Sequence, residues 1–182
     1  MLLGLLVVIG IVLAVFTGMY NGLVKGRIQV KEGFSGVDVQ LKRRHNLIPN
    51  LLETVKGYMK HEKGVLEEVT SLRTKVMGAT GVEEKAGLES GISRALKTIF
   101  AVSENYPDLK ANTTFIELQK NLADIEDEIQ LSRRYYNGAV RDYNIKVQSI
   151  PSCIVANMFN FTAEPFFEVE SAEVRAVPKV QF

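Results

Sequence analysis

The sequence predicts an all-α protein with a single N-terminal transmembrane helix that continues into a long antiparallel helical bundle, followed by an extended C-terminal tail. Residues 1–24 carry no charged side chain. In most of the remaining chain, apolar residues recur at spacings of three and four, which indicates packed helices rather than strands. The 182 residues carry 22 Lys and Arg against 21 Asp and Glu, a net charge of +1. This balance indicates one body of ordinary size and argues against a nucleic-acid binder.

Residues 1–24 form the predicted transmembrane helix, since at about 1.5 Å per residue they span the roughly 30 Å of a bilayer's hydrocarbon core. A cleaved signal peptide is the alternative, but no Lys or Arg precedes the apolar run and no convincing cleavage site follows it. Lys25, Arg27 and Lys31 come directly after the run. By the positive-inside rule, these membrane-proximal basic residues predict that the N-terminus lies outside and the body in the cytoplasm. The expected location is the inner or plasma membrane of the cell.

A stripe of small residues follows the transmembrane segment at intervals of four: Gly10, Ala14, Gly18, Gly22 and Gly26. Small residues let two helices in lipid approach closely enough to be held by dispersion forces. Gly and Ala are also common in membrane helices without any such role. We expect the stripe to support self-association, so the sequence favours a homo-oligomer.

The cytoplasmic body is expected to span residues 25–160 and to begin with a helix of about residues 25–77. Pro49 interrupts this helix, but the apolar spacing continues through it, which predicts a kink rather than an end. The positions that define the apolar line are Phe34, Val37, Leu41, Arg44, Ile48, Leu51, Val55, Tyr58, Glu62, Val65, Val69, Leu72 and Val76.

Two further helices are predicted at about residues 83–104 and 113–149, each by its own apolar line. The line of the first is Leu88, Ile92, Ala95, Ile99 and Val102, and that of the second is Phe115, Leu118, Leu122, Ile125, Ile129, Ser132, Tyr136, Ala139 and Tyr143. The first ends near Pro107 and the second at Pro151, because proline cannot continue a helix. A short helix is expected after Pro151. Residues 161–182 contain two prolines and are expected to form the extended tail.

Several segments closely resemble the LemA family. They are Tyr20-Asn21, Leu23-Val24, the run Asp38 to Leu51, Val55 to Tyr58, His61-Glu62, Arg133 to Val140, Tyr143-Asn144, Pro151, Phe166 to Glu168 and Pro178 to Phe182. The resemblance implies a single-span membrane protein with a long-helix cytoplasmic bundle and no established biochemical activity. In the family an Asp often stands where this chain has Asn46, so a role that needs a carboxylate there does not carry over.

Arg44 and Glu62 are the two polar residues on the apolar line of the first helix. A buried charge costs several kcal/mol unless it is paired, so Arg44 is expected to meet an acidic partner on the third long helix. The candidates are Asp124, Glu126 and Glu128. Such polar layers can set the register between helices or subunits, although exposure at the edge of the apolar line remains an alternative.

Arg43, Arg134 and Tyr135 are candidates for an interface with another protein. Tyr and Arg suit interfaces because they bury a large area and keep a polar tip that can be satisfied. In the block that holds Arg134, the helical spacing predicts Tyr136 and Tyr143 inside the bundle and Tyr135 outside it.

No catalytic, metal or cofactor motif is present, so we expect no enzyme activity and no cofactor. His45 and His61 belong to no recognised metal-ligand spacing, and the single Cys153 resembles a small core residue. A hydrolase assembled from several helices is a minor alternative.

The sequence therefore favours a membrane-anchored, self-associating scaffold or adaptor that presents its bundle to a cytoplasmic protein partner. The main alternative is a membrane-tethered sensor or regulator whose bundle binds a small ligand.

Overall fold

The computed structural model describes residues 1–168. Its helices are α1 (Leu2–Lys56), α2 (Lys63–Gly78), α3 (Val82–Ser103), α4 (Pro107–Lys110), α5 (Thr113–Gln148) and α6 (Ser152–Met158). The described part of the chain contains no strand, so the predicted all-α class is confirmed. Residues 161–168 have no regular secondary structure, and the rest of the tail predicted at 161–182 lies outside the described residues.

The chain divides into two compact units. Among the described residues, the first combines Met1–Arg43 with Asp127–Phe166, and the second combines Arg44–Glu126 with Phe167 and Glu168. Helices α1 and α5 contribute residues to both units.

In the first unit, glycines of α1 lie against tyrosines of α5. A Cβ added to Gly26 would meet the ring of Tyr143 at 3.1 Å, and one added to Gly33 would meet the Cα atom of Tyr136 at 3.1 Å. Both tyrosines are buried, as their helical spacing predicts. Because glycine has no side chain, the two helix backbones can approach at these points more closely than larger residues would allow.

The segment that follows α6 is held on α5 by two contacts. The side-chain amide of Asn144 donates to the carbonyl of Glu164 and accepts from its backbone N–H, both at 2.9 Å. The Tyr136 hydroxyl donates to the carbonyl of Pro165 at 2.7 Å. Between α6 and this segment Asn160 has a φ of 55°, a left-handed conformation that Asn tolerates better than most residues.

The second unit encloses an apolar core formed by α2, α3, α4, the end of α1 and the start of α5. Its fully buried members include Ile48, Leu51, Val55, Val69, Ile92, Ile99, Leu109 and Phe115. Phe100 and Phe115 meet edge to face, with ring centroids 6.2 Å apart. Except for Leu109 of α4, these fully buried residues fall on the predicted apolar lines, so the spacing of three and four did identify the face that α1, α2, α3 and α5 bury in this core.

The predicted first helix of residues 25–77 is wrong in one respect, because α1 ends at Lys56 and α2 begins at Lys63. Gly57 follows the last residue of α1, and glycine lowers the helix propensity of such a position by about 1 kcal/mol. In the intervening turn Met59 is buried, whereas Tyr58, which the apolar line placed inside, is exposed. The spacing survives the turn because both helices bury one face in the same core.

Helix α1 continues through Pro49, and α2 compensates for the hydrogen bond that proline removes. Pro49 has no N–H to donate to the carbonyl of His45, four residues earlier. Arg73 of α2 donates its Nε–H to that carbonyl at 3.3 Å. At Pro49, where a kink without a break is predicted, the helix is continuous, and this hydrogen bond links α1 to α2.

Candidate functional site

A buried polar cluster in the second unit is centred on Arg44, whose side chain is 1% exposed. The Nη1 atom of Arg44 donates to Glu126 at 2.6 Å and to the Ser93 hydroxyl at 2.7 Å. The Nη2 atom donates to the Glu89 carboxylate and, at 3.3 Å, to the Glu89 carbonyl. Glu126 is one of the three acidic residues expected to face Arg44. The guanidinium thus joins three helices, because its five N–H groups can serve several acceptors at once.

His45 places its imidazole ring beside Glu89. Its Nε2 atom lies 2.9 Å from Glu89 Oε1, but the two are not aligned as a hydrogen bond, and neither atom has a hydrogen-bond partner among the described residues. Burial by itself raises the pKa of Glu89, but the contact with His45 and the charge of Arg44 outweigh it and hold the pKa below its usual 4.5. Glu89 is therefore an ionised, nearly fully buried carboxylate at neutral pH.

Glu89 is the member of the cluster that the sequence reasoning missed. The apolar line of α3 was counted through Leu88, whereas the buried positions run through Ala86, Glu89 and Ile92. A glutamate three residues from Ile92 on an otherwise apolar face was the available signal.

The structure contradicts the expectation for Glu62. It lies in the turn before α2 and is half-buried, instead of standing on the apolar line of one continuous helix. The physical reason is the end of α1 at Lys56, which removes the continuous helix that would have carried Glu62 inward.

The first part of α1 is not covered by any other part of the chain that the structure describes. Residues 1–15 are all exposed, and α1 is the one helix in the described chain that is long and apolar enough to cross a membrane. A Cβ added to Gly10, Gly18 or Gly22 would meet nothing within 4 Å. Gly26 differs from these members of the stripe, because it is buried against Tyr143 within the same chain.

The remaining candidate residues lie on the surface. Lys25, Arg27 and Lys31 are exposed on α1. The interface candidates Arg43, Arg134 and Tyr135 are also exposed, and Arg43 donates only to the neighbouring Gln40, at 3.0 Å.

An open groove of about 1190 Å³ lies between the end of α1 and α2. Its lining includes Pro49, Leu52, Met59, Leu66 and Arg73. In residues 1–168 no three His, Cys, Asp or Glu side chains are grouped so that they could hold a metal ion.

Comparison with known proteins gives a consistent picture. The model of the LemA family matches residues 33–182. The chain is 28% identical to Protein LemA of Metamycoplasma hominis, over 91% of this chain and 78% of that protein. It is 24% identical to magnetosome protein MamQ 2 of Paramagnetospirillum magneticum and 22% identical to magnetosome protein MamQ of Magnetospirillum gryphiswaldense. Each of these two alignments covers 84% of this chain and 66% of the relative, slightly less than two thirds of its length.

With the apolar N-terminal helix, these relatives indicate a membrane-associated protein. The family model covers most of the chain, including every residue of the buried polar cluster. The chain therefore belongs to the LemA family.

Proposed function

We propose that this protein is a membrane-anchored, self-associating helical scaffold or adaptor. Residues 1–24 cross the membrane once, with the N-terminus outside, and an antiparallel helical bundle presents its surface to a protein partner in the cytoplasm. Arg43, Arg134 and Tyr135 are the surface residues proposed to contact that partner.

The exposure of residues 1–15 carries this proposal. An uncharged helix with no protein around it would place a large apolar surface in water, whereas a bilayer removes that surface from water at no cost to the backbone hydrogen bonds of the helix. The same helix continues without interruption into the folded body. A partner bound to the body is therefore held near the membrane by one continuous element.

Self-association rests on the open part of the stripe, Gly10 to Gly22. Replacing Gly18 and Gly22 with Leu is expected to lower the mass of the complex in native electrophoresis, because the side chains keep two helices apart. Gly4→Leu is the matched control, since Gly4 is equally open but lies off the four-residue register. An unchanged mass for the double variant would remove the stripe from the proposal.

The orientation can be tested with a cysteine at an exposed position of the body. In a Cys153→Ser background, Arg134→Cys is expected to react with a membrane-impermeant maleimide only after the cells are permeabilised. Reaction in intact cells would place the body outside and contradict the proposed orientation.

The groove between α1 and α2 favours a second candidate function, a sensor that binds a small ligand. Its volume of about 1190 Å³ is slightly above the roughly 300–1,000 Å³ of ordinary ligand sites, so a small molecule has room to enter, and Arg73 offers a charged group at its wall. Screening the full-length protein against a metabolite library should then give a ligand that raises the melting temperature. Substituting Leu66 with Glu should abolish that shift if the groove is the site.

A further inference from the structure

We propose that α6 and the turns on either side of it form a second membrane contact, in which residues 147–163 rest on the acyl chains of the leaflet where α1 leaves the bilayer. The inference rests on the proposed membrane anchor and adds to it a site that binds lipid. The occupant to which it commits is the bilayer itself.

Residues 147–163 form an uncharged stretch. From Val147 to Ala163 no side chain is charged, and apart from residues 1–24 no stretch of comparable length in the chain lacks Asp, Glu, Lys, Arg and His. Lys146 directly precedes this segment and Glu164 follows it. Since a buried charge is costly in lipid, an uncharged stretch bounded by charges is the composition expected where a surface meets a membrane.

Helix α6 exposes an apolar face. Ile154 and Met158 lie four residues apart on α6 and are 61% and 62% exposed, while Val155 and Ala156 on the other side of the helix are buried. Ile150, just before α6, is 85% exposed. A helix of a soluble surface would place polar residues at these positions, so the uncovered apolar face calls for an apolar partner.

The end of α6 lies beside the part of α1 that is proposed to enter the membrane. The Phe159 ring, at the end of α6, lies 4.8 Å from the ring of Tyr20 and 6.0 Å from that of Phe16, measured between centroids. Gly26 marks the level of Lys146, whose Nζ would lie 3.8 Å from a Cβ added there. Residues 16 and 20 precede Gly26 by ten and six positions, which places their rings about 9–15 Å farther toward the membrane at 1.5 Å per residue.

These levels match the layers of a bilayer. Lys146 lies at the height of the basic residues Lys25 and Arg27, where the headgroups are expected, and the aromatic rings of Tyr20 and Phe159 lie at the boundary of the hydrocarbon, where aromatic side chains concentrate in membrane proteins. A helix in this layer buries its apolar face about 5–10 Å into the leaflet. The geometry therefore favours lipid as the partner of Ile154 and Met158, because Phe159, at the end of the same helix, contacts Tyr20 and Phe16 of the proposed transmembrane helix.

The test uses the absence of tryptophan from this chain, which makes any introduced tryptophan a unique fluorophore. Full-length Ile154→Trp is reconstituted at low density into phosphatidylcholine vesicles whose acyl chains are brominated near the carbonyl end. We expect blue-shifted emission and loss of intensity to the bromine atoms. Met158→Trp repeats the measurement on the same face in case Ile154→Trp lowers the helix content measured by circular dichroism.

Two matched variants separate this inference from the anchor itself. Val8→Trp, in the proposed span, is expected to be quenched by lipids brominated near the methyl end, whereas Leu131→Trp, an exposed position on α5, should emit as in water and stay unquenched. If Val8→Trp is quenched and both α6 variants emit as in water, the lipid contact is refuted and the anchor stands. Blue-shifted emission of the α6 variants without quenching would show that a second copy of the chain covers this face, which also refutes it. Failure of Val8→Trp to be quenched would overturn the anchor, and the lipid contact with it.

Discussion

Removing the Arg44 guanidinium should destabilise the second unit more than any other single charge removal in the cluster. Arg44→Met keeps most of the side-chain volume but leaves the Glu89 carboxylate, which is 4% exposed, without its main counter-charge. Breaking a buried ion pair from one side costs about 3–5 kcal/mol, because the remaining charge is neither hydrated nor compensated.

The expected ranking follows from burial. Glu126 is 29% exposed, so water already screens its pair with Arg44, and Glu126→Gln should cost only about 0.5–1 kcal/mol. The double variant Arg44→Met with Glu89→Met should recover most of the loss, since a buried pair replaced by apolar side chains of similar volume is often neutral in stability.

The assay is thermal unfolding of the full-length protein in detergent micelles, followed by circular dichroism. A loss of about 3–5 kcal/mol corresponds to a melting temperature lower by about 6–20 °C in a protein of this size. Arg43→Met is the matched control, because Arg43 is the adjacent residue but is exposed. Equal shifts for Arg44→Met and Arg43→Met would refute the reasoning from burial.

The same cluster predicts how stability depends on acid. The pKa of Glu89 is lower in the folded protein than its usual 4.5, so its contribution to stability is fully present above pH 4.5 and is lost as the pH falls through the folded-state value. Urea titrations from pH 6 downward should therefore show a steeper loss for the wild type than for Glu89→Gln. Parallel curves would mean that Glu89 does not titrate with unfolding.

Three further outcomes are expected from the packing of α1, each measured as a free energy of unfolding in urea. Arg73→Met should cost about 1 kcal/mol, because it leaves the His45 carbonyl without its donor. The cost should vanish in a Pro49→Ala background, which restores the N–H of the helix, and equal costs in both backgrounds would contradict this. Gly36→Ala should raise stability by about 0.5–1 kcal/mol, whereas Gly33→Ala should lower it by about 1–3 kcal/mol because a Cβ there meets the α5 backbone; identical effects would refute the close approach. Burial, with a smaller effect of the Glu164 carboxylate, raises the pKa of Tyr136 from 10.0 to about 12. The contribution of this tyrosine to the free energy of unfolding is therefore fully present below pH 10 and is lost as the pH rises through 12. Tyr136→Phe should lack this loss, and a wild type that shows none would contradict the assignment.

Helical periodicity predicts which faces are buried better than it predicts where a chain reverses. The line from Val37 to Val55 was sound because each of its members packs into the protein. The turn at residues 57–62 escaped the same reasoning because Val69 and Val76 resume the spacing after it. A glycine at position 57 was the local signal, but one glycine costs about 1 kcal/mol, less than an apolar side chain gains by burial, so the pattern alone does not decide between continuing and turning.

The candidate site divides in the same way. Arg44 could be identified because a charge on an apolar line demands a partner, and Glu126 followed from the helix expected to face it. Arg73 could not be identified, because its partner is a backbone carbonyl that becomes available only through Pro49. Such a contact leaves no pattern of side-chain types in the sequence.

The pairing of Asn144 with Glu164 has a consequence for what the chain tolerates at that position. The Asn144 amide offers one donor and one acceptor side by side, so it pairs with the backbone of Glu164 as a peptide group of a neighbouring strand would. Aspartate would repel one of the two backbone groups, and glutamine would place its amide one carbon too far out. Because neither hydrogen bond involves a full charge, salt concentration should leave this attachment nearly unchanged, in contrast to any contact between the basic residues of α1 and lipid headgroups.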